Sequence, residues 1–266
     1  MIHKTAIIEP GAEIGTNVSI GPYSVVEGDT RIGDECVIGP HVSIMRYTTL
    51  GEKCKIHAGA VIGDLPQDLS FAGGETFAKI GSGCTIREGV TIHRGTKPGT
   101  STEIGKSCFL MALSHFAHNV KLGDNVIVAN AAFLGGYVEV ADRAFISGGV
   151  GIHQFVKVGR LAMLGGNSGI SKDVPPFCTI RSITLNVVGG MNLVGMKRAG
   201  ITPVERLQIK EAFKLVYRSG LNTSQAVEKM KAKYTAGPAM EFCCFIEQSK
   251  RGICRTEISD QEEDND

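Results

Sequence analysis

Tryptophan is absent from this chain and aromatic residues make up only 6% of it, which excludes a core built chiefly from large ring-bearing side chains. No stretch approaches the roughly 18 uninterrupted apolar residues of a membrane-crossing helix. Residues Met1–Pro10 also lack the charged region and apolar core of an export signal. The chain is therefore expected to be cytoplasmic, with no integral membrane segment. None of the eight cysteines forms a CxxC pair, and Cys243 and Cys244 are adjacent, which suits neither a zinc site nor a disulfide framework. No metal or cofactor is expected. Formal net charge is only +1, and no nucleic-acid partner is expected. That sum hides an asymmetry, because Thr256–Asp266 carries six acidic residues and no basic one, while Met191–Arg255 holds twelve Lys or Arg against five Glu. A basic segment of this kind suits an acidic protein or phosphate groups.

What the chain has in excess is glycine, 34 residues in 266, together with 42% hydrophobic residues. That composition excludes general disorder and points to many tight backbone bends. Stepping by six from Ile2 to Ile170 visits 29 positions, of which 26 hold Ile, Leu, Val or Phe; the exceptions are Asp68, Gly74 and Pro98. Four residues after each comes a series of small side chains, Ala6 to Val174, broken only by Pro66. Gly follows the large aliphatic residue at twelve sites, read here as the bend after each short strand. One large and one small inward residue per six describes a short flat strand plus a turn. Three such units close a triangular coil, and coils stack at the inter-strand spacing of about 4.8 Å.

The fold class is therefore mainly β, a parallel β-helix of hexapeptide repeats, expected over residues 1–186. Cys36, Cys54, Cys84 and Cys108 fall on the small interior position, where they read as buried hydrophobes in a reducing compartment. The pattern lapses around Pro66, Asp68 and Gly74, so Asp64–Lys79 is expected to loop outward, with a smaller excursion at Lys97–Ser101. After Pro175–Pro176 the repeat ends. Helical periodicity follows, with Thr202 as N-cap, Pro203 at the first position, an apolar face of Ile209, Phe213, Val216 and Tyr217, and a stop at Gly220. A second helix opens at Asn222 or Thr223, and a third runs from Pro238 to about Arg251. These helices, expected over 187–255, would cover the open end of the β-helix. An acidic disordered tail is expected over 256–266.

In stacked coils of eighteen, residues eighteen apart are neighbours on the outer wall. His118, Gly136 and Gln154 form such a column, with His115 three residues before the first and His153 beside the last. A neutral imidazole at His118 can take a proton from a hydroxyl, the Gly136 N–H can donate to a developing oxyanion, and Gln154 can orient a polar substrate. That combination suits acyl transfer to an alcohol. A stack of solvated polar residues is the competing reading of the same column.

The ordered motifs Gln67–Asp68–Leu69, Thr91–Ile92–His93–Arg94–Gly95–Thr96, His115–Phe116–Ala117–His118, Ile152–His153–Gln154–Phe155, Asp173–Val174–Pro175–Pro176, Met196–Lys197–Arg198 and Tyr217–Arg218–Ser219–Gly220 make residues 1–255 resemble the bacterial UDP-N-acetylglucosamine O-acyltransferases of lipid A synthesis. The resemblance implies left-handed coils, a hand that period six does not itself dictate, and a homotrimer with active sites between subunits. It implies transfer of a 3-hydroxyacyl group from acyl carrier protein to the glucosamine 3-hydroxyl of UDP-N-acetylglucosamine. By position, His118 is similar to the general base and Gly136 to the oxyanion donor. Asp68 and His115 resemble the residues that hold the glucosamine hydroxyls, and Gln154, Asn192 and Arg198 the contacts to the acetamido and uridine diphosphate portions. A guanidinium at Arg198 suits a pyrophosphate. Gly166 falls where the family limits acyl length, and a residue without a side chain there implies a chain of fourteen carbons or more. The basic C-terminal helices would serve the acidic carrier protein.

Four positions depart from the commonest family pattern: Asn119 stands where an acidic residue is usual, Tyr137 for a histidine, Ser70 for a lysine and Ala199 for a second arginine. A neutral neighbour at Asn119 implies a weaker base and a slower enzyme. Two other readings share the motifs. One is a hexapeptide N-acyltransferase acting on a UDP-amino sugar, which would carry an extra N-terminal domain where repeats here begin at Ile2. The other is a catalytically weak homologue that binds nucleotide sugar or carrier protein. A γ-carbonic anhydrase would need three zinc histidines from neighbouring coils, and His93, His115, His118 and His153 do not share one column.

Overall fold

Residues 1–256 are described in the computed structural model, so all but the first residue of the expected acidic tail lies outside them. Among the described residues, short strands form three sheets of nine, eight and ten. In the nine-stranded sheet, strands beginning at Ile7, Val25, Ser43, Val61, Thr91, His115, Phe133, Gly151 and Gly169 lie side by side in chain order. The chain thus climbs one coil at a time, as a parallel β-helix must. Regular coils pair residues eighteen apart, as in Phe109 with Ile127 and His115 with Phe133. The inward apolar residues Ile44, Ile62, Ile92, Phe116 and Leu134 form one continuous, fully buried column.

The two excursions appear where the pattern lapses. Lys55 pairs with Thr85 and Val61 with Thr91, thirty residues on, so Leu65–Thr76 is added to that coil. Thr85 then pairs with Phe109, twenty-four on, so six further residues are added, and they fall within the stretch Arg94–Thr100 between two strands. The strands resume at Phe77 and Ser101, so the first excursion is shorter at both ends than the sequence suggests. The coil also does not stop at Pro175–Pro176. It continues through Cys178–Ile180, which pairs with Met163–Leu164 sixteen residues earlier rather than eighteen.

The glycines and the bends have exchanged roles relative to the sequence reading. The bend residue of each hexapeptide is the one before the small interior residue, and it sits in the left-handed region whether or not it is glycine: Asn17, Tyr23, Asp29, Glu35, His41, Tyr47 and Lys53 all have φ between 55° and 64°. Where the residue is neither glycine nor Asn or Asp, the bend costs about 1–2 kcal/mol. Except at Gly63, which has φ 85°, the glycine after the large aliphatic has another purpose. A Cβ on Gly105 would lie 2.3 Å from the Gly123 carbonyl oxygen, and one on Gly33 would lie 2.7 Å from the Glu52 nitrogen. Those positions need glycine because the next coil passes directly overhead.

Four thiols line one interior corner. Cys36 donates to the Gly51 carbonyl at 3.1 Å, Cys54 to Gly81 at 3.3 Å, Cys84 to Gly105 at 3.1 Å and Cys108 to Gly123 at 3.2 Å. All eight cysteines are free.

The top of the β-helix is closed by an antiparallel strand, Val188–Met191, laid on Cys178–Ile180, and by four helices. The sequence predicts three of them; α1 (Leu193–Arg198) is six residues long and too short to show a period. The second, α2 (Pro203–Tyr217), begins with the expected Thr202 cap and Pro203, completed by a capping box with Glu205. Asn222 caps α3 (Thr223–Lys233), and α4 spans Pro238–Gln248. Ile209, Phe213, Met230, Phe242 and Ile246 bury the faces between them. Arg160, lying over the Phe177 ring, forks onto Glu241 of α4 at 2.6–3.1 Å and ties the helices to the coil. No helix among the described residues is long and apolar enough to cross a membrane.

The division of labour between bends and stacking glycines has a direct test by urea denaturation. Gly105→Ala should cost about 2 kcal/mol or more, because backbone must move. Lys53→Gly, at a left-handed bend, should stay within about 0.5 kcal/mol of the parent, relief of strain offsetting the entropy of a more flexible unfolded chain. Equal losses in the two variants would show that the spacing between coils is not what selects glycine.

Candidate active site

The column found in the sequence lies at the corner between the nine- and eight-stranded sheets. His118 follows the strand His115–Phe116, and its imidazole lies against the backbone of Gly136 one coil on. A Cβ on Gly136 would sit 2.4–2.5 Å from the ring atoms Cε1 and Nε2, so only glycine lets the imidazole occupy that place. The N–H of Gly136 makes no hydrogen bond to another described residue, while its carbonyl accepts from Phe155 at 2.9 Å. His118 is only 9% exposed, because two other groups close over it. The first excursion brings Asp68 Oδ2 to 3.5 Å from Nε2. Tyr137 meets the imidazole edge-on at 5.3 Å and itself stacks on Phe155 at 4.9 Å.

Asp68 is held by Ser70, whose backbone N–H and hydroxyl both donate to Oδ1, at 2.9 and 2.8 Å. Those two bonds, with a smaller contribution from His118, hold the carboxyl below its ordinary range. Serine at position 70 thus orients the carboxylate. On the other side of the ring, His118 Nδ1 lies 3.1 Å from Asn119 Oδ1. That oxygen also receives the Thr96 backbone N–H at 3.1 Å and the Thr96 hydroxyl at 3.0 Å, and Thr96 continues to the Tyr137 hydroxyl at 3.1 Å.

His115 belongs to a neighbouring group. Its Nδ1 shares a 2.7 Å hydrogen bond with Thr91, and its ring meets His93 edge-on at 4.9 Å. Burial pushes His115 down, and burial reinforced by His115 pushes His93 down to about 4. His115 also borders a shallow apolar groove with Phe133, Gly151, His153, Gly169 and Leu185. Gln154 is exposed at the rim of the corner.

The remaining residues singled out from the sequence lie elsewhere on the chain. Asn192 and Arg198 line a cleft of about 850 Å³ on the ten-stranded sheet, together with Arg143, Phe145, Met163 and Leu193. Asn192 is partly committed to the fold, because its Oδ1 caps α1 at Gly195 and its Nδ2 donates to the Leu161 carbonyl, at 2.8 and 2.9 Å. Gly166 stands at a third corner, where an added Cβ would meet the Gly148 carbonyl at 3.4 Å. One chain therefore gathers His118, Gly136 and Asp68, and leaves Asn192, Arg198 and Gly166 apart from them.

A family profile described as Udp N-acetylglucosamine O-acyltransferase, Domain 2, matches residues 173–254, and the bacterial transferase hexapeptide profile matches 29–64 and 101–136. The acyl-[acyl-carrier-protein]–UDP-N-acetylglucosamine O-acyltransferase of Anaeromyxobacter dehalogenans strain 2CP-1 is 42% identical over 256 residues, which span 96% of this chain and 99% of that one. This chain belongs to that family of acyltransferases. The relative from Synechocystis is 44% identical over 73% of this chain and 70% of its own. The UDP-N-acetylglucosamine acyltransferase from Campylobacter jejuni superposes with a TM-score of 0.90 at 36% identity, covering 97% of this chain and all of that one. LpxA from Acinetobacter baumannii gives 0.90 at 36% identity, covering 96% and 99%. So close a superposition requires coils of the same hand, and the β-helix is left-handed with a C-terminal helical domain, as the resemblance implies.

Reading the column of eighteen missed three contributors to the His118 environment: Thr96, the orienting role of Ser70, and the Tyr137–Phe155 stack. Thr96 falls by number on the small interior series and so reads as core. The excursions add twelve and six residues, both multiples of six, so the count keeps its phase while the chain leaves the coil.

Buried His93, beside half-buried His115, makes stability depend on pH. The unfolded chain protonates His93 near 6.5, the folded one only near 4. The stabilisation from neutral His93 is thus whole above pH 6.5 and is lost as pH falls toward 4, about 3 kcal/mol in total. His93→Leu should flatten that part of the curve when urea midpoints at pH 7 and pH 4.5 are compared. Identical pH dependence in variant and parent would remove His93 as the cause.

Proposed function

We propose that the chain transfers a 3-hydroxyacyl group from acyl carrier protein to the 3-hydroxyl of the glucosamine in UDP-N-acetylglucosamine, the first step of lipid A synthesis, in the cytoplasm. The observation that carries this reading is the His118 imidazole lying over a glycine with an uncommitted N–H and facing a carboxylate held by Ser70. His118 Nε2 takes the proton as the sugar oxygen attacks the thioester carbonyl. The oxyanion is met by the Gly136 N–H, and the C–S bond breaks as the proton is returned to the leaving sulfur. Asp68 and His115 hold the glucosamine hydroxyls, and Gln154 holds the acetamido group.

The separation of Asn192 and Arg198 from His118 supports a homotrimer in which neighbouring chains complete each other's sites. An exposed cation such as Arg198 beside the 850 Å³ cleft suits the pyrophosphate. The apolar groove beside His115, with Phe133 52% and Leu185 66% exposed, suits contact between copies. Gly166, with room for a further side chain, suits a long acyl group. A groove on α2 and α3, lined by Lys214, Arg218, Lys229 and Lys233 with Glu211 paired to Lys233, has an excess of basic groups that suits the acidic carrier protein.

Transfer from radiolabelled UDP-N-acetylglucosamine should be measured with 3-hydroxyacyl carrier proteins of graded length. Product is expected with donors of about fourteen carbons or more. It should fall by about 10²–10⁴-fold in His118→Ala and shift to shorter donors in Gly166→Leu. Binding of the nucleotide sugar without product from any donor would replace this reading with that of a weak homologue.

A further inference from the structure

Asn119 occupies a left-handed bend, φ 60°, and its backbone N–H donates to Thr102 Oγ1 at 2.8 Å. The orientation of its amide is dictated by a neighbour that has no choice of role. The Thr96 backbone N–H can only donate, so the Asn119 atom facing it at 3.1 Å is the oxygen. Flipping the amide would set NH₂ against N–H. The same oxygen faces His118 Nδ1 at 3.1 Å, and an oxygen with no hydrogen can only accept. Nδ1 of the neutral imidazole therefore carries the proton, and Nε2 carries the lone pair. Nε2 is the nitrogen over Gly136, and its 3.5 Å separation from Asp68 Oδ2 is too long for a good hydrogen bond.

We propose that Asn119, locked by Thr96, is a positioning residue that selects the Nε2-basic tautomer of His118, and that Asp68 supplies the carboxylate that, among the described residues, faces the imidazolium formed during transfer. This rests on the base role of His118 proposed above. The titratable groups around the ring are Asp68 from the first excursion, Tyr137 from the next coil and His93 from the coil before. The hydroxyl chain from Tyr137 through Thr96 ends on Asn119 Oδ1. Donors converging on one carbonyl polarise it, which gives the neutral amide some of the hold that a carboxylate would have.

Two measurements on the full chain test this. Ring ¹⁵N resonances, with those of His118 identified by their loss in His118→Gln, should show the Nδ1–H tautomer above the ring's pKa, and Asn119→Leu should lose that preference. In the transfer assay, Asn119→Leu should lower kcat about 10²-fold with little change in KM for the nucleotide sugar. Asn119→Asp brings a second carboxylate to the ring and favours its charged form. The acid limb of kcat/KM should then move to higher pH by about one unit. If Asn119→Leu does not fold, the parent tautomer and the Asn119→Asp profile decide the matter. An Nε2–H tautomer in the parent, or an acid limb unmoved by Asn119→Asp, overturns the proposal. Absence of transfer from every donor would defeat the proposed function, while the ¹⁵N result would still decide whether Asn119 sets the tautomer.

Discussion

Each coil hydrogen-bonds to the next along its length, with backbone N–H···O distances of 2.7–3.1 Å at Gly39, Gly51, Gly81, Gly123 and their neighbours, and everything else in the structure is an accommodation to that fixed separation. At about 4.8 Å between coils the interior has room for one large and one small residue per strand. The wall must also be bare of side chains wherever one bend passes beneath another. The strain of left-handed bends at residues such as Tyr23 and Lys53 is borne because the stacking on either side leaves no alternative path. The corner of His118 inherits the same constraint: the closeness that forbids a Cβ on Gly33 brings His118 down onto Gly136.

How much of this could be read from the amino-acid order depends on whether a feature repeats. Periodicity reveals the solenoid, the interior thiols and the column of His118, Gly136 and Gln154, because each recurs at an offset that stacking preserves. Helices α2, α3 and α4 were legible from Thr202–Pro203, Asn222 and Pro238, where capping chemistry is local. The twelve glycines stand out by their spacing, but their task does not, since a sequence shows spacing and not what lies overhead; of the twelve, Gly63 alone takes a left-handed conformation. Short α1 and the shortened last coil leave no periodic trace.

The excursions were visible as interruptions, yet what they bring was not. Asp68 could be named only through resemblance; its approach to His118 depends on the path of Leu65–Thr76, and its orientation on Ser70. Thr96 was hidden by an accident of number. Asn119 reads as a loss when compared with an acidic residue, but its environment changes the question. An asparagine favours the left-handed bend that the coil demands at that position, and its oxygen is set by a backbone donor. The departures at Asn119 and Tyr137 are joined through Thr96 into one connected group rather than standing as scattered defects.

The four stacked thiols carry a further consequence. Each is buried in the interior and spends its hydrogen on the carbonyl of the glycine in the coil above, so no reagent can reach any of them while the coils stay in register. Reaction with an alkylating agent requires that a coil be lifted from its neighbour, and successive sulfurs at Cys36, Cys54, Cys84 and Cys108 sample successive levels of the stack. The molecule carries a built-in ruler of its own unzipping: the order in which those sulfurs become modifiable would tell from which end the solenoid comes apart.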